Sequence, residues 1–165
     1  MAISGGVTAS MSLLSESYSR MLSYGESARA QDFVMTVDGD ANLHWLIQAA
    51  TTPALKREVV EVVGPFGVRS IQQGRFINEI EMAITFKEVV SGLAYTALHA
   101  WSETKAYKTV TIALKSETQG VAADGADGFW KIEDCWIELD GADLSVEDAV
   151  PLKLSGTLHG SYLPS

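Results

Sequence analysis

The residues able to do chemistry in this sequence are few, and their spacing argues against most reactions. Three histidines, His44, His99 and His159, stand far apart, with no carboxylate or cysteine at metal-ligand spacing beside any of them. Isolated histidines of this kind are structural, so no metal site is expected. Ser102-Glu103-Thr104-Lys105 has the Ser-x-x-Lys form of certain acyl-enzyme nucleophiles, but the companion motifs of those enzymes are missing. Gly64-Pro65-Phe66-Gly67 lacks the lysine and the following helix of a phosphate cradle, and no dinucleotide fingerprint or nucleophile elbow occurs. The acid-dense run Asp143 to Asp148 lacks the glycine and terminal glutamate of a calcium loop and reads as a turn between strands. These residues predict neither an enzyme nor a bound cofactor.

Cys135, the sole cysteine, excludes an internal disulfide and fits a reducing compartment. The carboxylates beside it, Glu133 and Asp134, oppose a thiolate, so a structural role is expected. Trp45, Trp101, Trp130 and Trp136 could stack bases, but no basic residues interleave with them. They read as core or interface anchors. The net charge of −9 is concentrated: from Glu117 to Asp148 ten acids face the single base Lys131, so that stretch alone carries −9. Gripping nucleic acid needs clustered Lys and Arg, and this pattern predicts no DNA binding.

The elements that must position these residues are mostly strands. The 165 residues make one domain by size, and 47% hydrophobic residues are enough for a core. No apolar run approaches the length of a membrane helix, and the start lacks a signal-peptide pattern, so a cytoplasmic protein with no membrane partner is expected. Residues 1–31 form a Ser/Gly/Ala-rich arm with one short amphipathic turn (Leu14, Tyr18, Met21, Leu22), and residues 32–165 form the β-rich remainder. Strands are predicted over Phe33 to Val37, Leu43 to Ala49, Glu79 to Phe86, Tyr107 to Leu114, Phe129 to Leu139 and Leu152 to Tyr162. Gln119 to Gly128 is a loop. In the clearest strand Ile80, Met82, Ile84 and Phe86 form a dry face opposite Glu79, Glu81, Ala83 and Thr85. Ser91 caps a helix over Gly92 to Trp101. Arg57 to Ile71 is a β-hairpin turning through a type I turn at Gly64 to Gly67.

In this order the elements resemble the tail tube proteins of contractile-tailed phages. The resemblance runs from about Asp32 onward and rests on Ala50-Thr51-Thr52-Pro53, the hairpin around Gly64 to Gly67, and a Gly-Arg-x-x-x-Glu stretch from Gly74 to Glu79. A short helix closing in Trp101 and the run Asp140 to Ser145 complete it. It implies a mainly β protein: an antiparallel β-sandwich or barrel with one flanking α-helix and an extended N-terminal arm, one tail-tube-like domain over 1–165. It also implies six copies in a ring, rings stacked into a conduit that DNA passes without specific binding, and sheath and baseplate proteins as further partners. The implied place is the virion tail, after assembly in the host cytoplasm.

Val60 and Val62 on the hairpin are the expected assembly residues, and Glu58 and Glu61, then Glu133 and Glu138, the expected lumen acids. Type VI injection tubes and baseplate tube initiators share the implied fold and are the alternative role. A small ligand-binding β-barrel is a third reading, less favoured because the apolar positions come in single faces.

Overall fold

The computed structural model describes residues 5–24, 31–114, 130–142, 144 and 150–163, with the backbone alone for 5–10. The expected loop over Gln119 to Gly128 lies outside them, as does nearly all of the run Asp143 to Asp148. The chain divides into two compact units, Met1–Asp32 and Phe33–Ser165.

In the first unit the short turn expected from sequence is a helix of 19 residues, α1 (Gly5–Ser23). No proline interrupts it, and Glu16 and Arg20, one turn apart, form an ion pair at 2.6 Å. Met11, Leu14, Tyr18 and Met21 recur at the three- and four-residue spacing of a single helix stripe.

The second unit is built on an antiparallel six-stranded sheet in the order β1-β6-β7-β8-β5-β2, curled until it nearly closes. Its strands are β1 (Phe33–Val37), β2 (Ile47–Ala50), β5 (Glu79–Lys87), β6 (Lys108–Leu114), β7 (Trp130–Leu139) and β8 (Lys153–Ser161). Strand alternation decides what enters the core. Ile80, Met82, Ile84 and Phe86 are buried, and across the ladder Gly160, Leu158, Gly156 and Leu154 of β8 are their partners. Met35, Val37, Val110, Ile112, Ile132 and Ile137 complete the wall. A Cβ at Gly156 would stand 2.4 Å from the Glu138 carbonyl oxygen, so β7 and β8 can approach only where that side chain is missing.

Helix α2 (Leu93–Glu103) supplies Ala94, Leu98 and Trp101 to the same core. The helix begins one residue later than the sequence suggested, and its cap differs. Gly92 sits at the N-cap with φ 69°, and the Glu88 carboxylate accepts the backbone N–H groups of Val89, Ala94 and Tyr95. A carboxylate satisfies several orphan helix donors and suits the positive end of the helix dipole, which a serine at 91 does less well. Trp101 donates its indole N–H to the Ala106 carbonyl, and Lys108, paired with Asp40, lies over its ring at 5.2 Å. The expected strand from Leu43 is a short 3-10 turn (Leu43–Trp45) followed by β2, which buries Leu43 and leaves Trp45 exposed.

Candidate functional site

The remaining strands, β3 (Lys56–Val63) and β4 (Arg69–Ile77), pair among the described residues only with each other and form a separate two-stranded ribbon. Every residue of β3 is exposed, as are most of those on β4. Val59, Val63, Val68 and Ile71 are each about two-thirds exposed or more, whereas Val60 and Val62 are near 40%. A ribbon rich in β-branched residues, with neither face covered by the described residues, has the composition of a strand that expects a partner.

The tip differs from the type I turn that the sequence suggested. Val68 N–H donates to the Pro65 carbonyl, so Phe66 and Gly67 are the central pair, and both have positive φ, 62° and 78°. Positive φ at both central residues is the primed geometry that matches strand twist, and glycine accepts it without cost. For phenylalanine it costs about 1–2 kcal/mol. The strained ring is fully exposed to solvent.

Glu58 and Glu61 do not form a pair. A Cβ at Gly74 would meet the Cβ of Glu58 and the Cγ2 of Val60, which puts Glu58, Val60 and Val62 on one face. Glu61 sits opposite Ile71 on the other face, 4.0 Å from Arg69. The hairpin is also the basic part of an acidic chain. Lys56, Arg57, Arg69 and Arg75 against Glu58 and Glu61 give it +2, leaving −11 for the rest.

Glu133 and Glu138, by contrast, fall on a single surface. The register between β7 and β8 slips between Glu133 and Trp136, where β7 holds an extra residue and Asp134 takes φ 52°. Because of that bulge, Glu133 and Glu79 both flank Ser161, while Trp136 and Glu81 both flank His159 and Glu138 lies next to Thr157. The outward face of β7, β8 and β5 therefore collects Glu79, Glu81, Glu133 and Glu138, all exposed. His159 is at its centre, stacked on Trp136 at 4.1 Å between ring centroids, with Glu81 3.7 Å from Nδ1 and Glu138 3.6 Å from Nε2. Lys131, 3.0 Å from Glu133, is a cation of this face, and Lys87 and Lys153, opposite each other at the far end of β5 and β8, are two more.

The same bulge turns Cys135 inward. Burial pushes its thiol up to about 12, a backbone hydrogen bond from Val110 lowers it in part, and the Asp134 carboxylate raises it further. Sequence reasoning missed the hairpin's positive balance, the strained tip and the bulge. The four bases could have been counted, but only a register shows the bulge.

No protein-family model matches the sequence, and no curated protein does. Solved structures do. A chain of the extended sheath–tube complex of an extracellular contractile injection system, PVC, superposes with a TM-score of 0.67 at 12% identity, covering 88% of this chain and 96% of that one. The cap that terminates the tube of the anti-feeding prophage gives 0.64 at 12% identity, over 85% and 93%. The PVC sheath/tube terminator gives 0.67 at 11%, over 85% and 97%. With its curled sheet and flanking helix, the chain shares the fold of these chains from contractile injection systems.

Proposed function

We propose that this chain is the self-assembling subunit of a contractile tail tube. Six copies close into a ring through their hairpins, and rings stack into a conduit for DNA. Sheath and baseplate proteins are its other partners, and the virion tail, built in the host cytoplasm, is its place. The observation that carries this reading is a ribbon of two long strands with no core of its own, set on a domain of tail-tube fold. A monomer gains nothing from such a ribbon; a closed ring covers its edges. The acidic part of the β5, β7 and β8 face, away from Lys87 and Lys153, is the lumen wall, since a wall repelling phosphate lets the cargo slide. Residues Glu133 and Glu138 act there together with Glu79 and Glu81; of Glu58 and Glu61, on opposite faces of the ribbon, one at most faces the lumen with them.

Electron microscopy of the purified protein tests the reading. Rings or tubes are expected, and uniform small particles at all concentrations would refute it. Val60→Pro removes an N–H from β3 and should leave a folded monomer that forms no oligomer in sedimentation. Because terminator and cap chains share the fold, rings that do not stack would favour a terminating or initiating role over the main tube.

A further inference from the structure

The hairpin and an apolar groove stand at opposite ends of one strand. The hairpin leads into β5 at Glu79, and the groove opens just past its other end, at Glu88. Nine strand residues separate the two by about 27 Å. The groove has a volume of about 920 Å³ and runs between α2 and the adjoining ends of β7 and β8, with Val89, Tyr95, Leu139, Leu152 and Leu154 along it. Val90 at its rim is fully exposed. Its carboxylates are Glu88 and Asp140, beside His99, which is 3.4 Å from Glu103; Glu88 is committed to capping α2, and among the described residues no side-chain partner of Asp140 stands in the groove.

We propose that the hairpin tip of one copy, led by Phe66, seats in this groove of a second copy. This rests on the tube reading and names a contact by which one ring would grip the next. Three observations select the occupant. The tip presents Phe66 with Val63 and Val68, all exposed, and backbone strain at an exposed aromatic persists where a contact needs the ring there. Arg69, the cation beside the tip, lies 4.0 Å from Glu61 and is placed to pair with Asp140 of the second copy, while Lys56, Arg57 and Arg75 stay at the base of the ribbon. A knob at one end and its seat at the other make a head-to-tail contact, which repeats without closing as a stack must.

Two variants test it. Phe66→Gly should keep or raise the melting temperature, because glycine suits φ 62°, while stack formation at a fixed concentration drops at least tenfold. Phe66→Cys combined with Val90→Cys should give, on mild oxidation, a ladder of linked chains beyond the dimer; either change alone stops at the dimer, and Cys135 is buried. Stacks of the double variant with no rung above the dimer, or Phe66→Gly stacking as well as the unchanged protein, would overturn the proposal and leave the tube reading in place. A thiol at position 90 shielded in such unlinked stacks would assign the groove to another partner, and that too overturns it. Failure of the unchanged protein to assemble at any concentration overturns both.

Discussion

Single residues show how the bulge in β7 divides labour. One extra residue at Asp134 sends Cys135 into the core and Glu133, Trp136 and Glu138 to the outer face. For Cys135 the consequence is a pH dependence with a definite sign. Its folded pKa, about 12, is above that of an unfolded thiol, about 8.5. Stability is therefore fully present below about pH 8.5 and is lost as pH rises toward 12, where the unfolded chain gives up a proton that the native one keeps. Melting curves between pH 8 and pH 10.5 should fall less steeply for Cys135→Ala than for the unchanged protein, even if the variant starts lower; parallel slopes would show that the thiol is not the source.

At the scale of elements, β5 gives the sharpest contrast between faces. Ile84 is 1% exposed and paired with Gly156, so Ile84→Ala should cost on the order of 2–5 kcal/mol. Glu81→Ala, on the wet face, should cost about 0.5 kcal/mol or less in the same denaturant titrations, and equal losses would contradict the sidedness. Alternation made this strand readable from sequence, as it did β6 and β8, because one buried face enforces a period of two. The hairpin's existence was legible too, through β-branched residues around a Gly-Pro-Phe-Gly turn. Its isolation was not, since the sequence of a strand does not say whether a neighbour lies beside it. Nor were the bulges legible: besides the one in β7, the register slips in the ribbon between Arg57 and Val59 and in β2 between Ile47 and Ala49. Gly74 permits the one in the ribbon, because a Cβ there would press within 2.9 Å of Glu58, and a glycine in a strand has several possible causes. Helix α1 was underread because its stripe is broken by serines, which weaken propensity without preventing a helix.

On the whole-molecule scale charge is unevenly spread: a hairpin of +2, a sheet face with Glu79, Glu81 and Glu133 toward one end and Lys87 and Lys153 at the other, and a groove with two carboxylates. If the sheet face lines the lumen, Glu81→Lys with Glu138→Lys should leave tubes assembled but slow DNA ejection, with the defect easing as salt rises and weakens the new phosphate contacts. Ejection at the normal rate in low salt would remove that face from the lumen. The ribbon has one more consequence. In water a lone two-stranded hairpin is marginally stable at best, and holding one backbone residue in place costs roughly 1–2 kcal/mol. A copy joining a finished ring finds surfaces already in place, whereas the first copies to meet must order one another's ribbons at once. Growth in such a system is fast and starting is slow, so free subunits accumulate quietly until a preformed template begins the count.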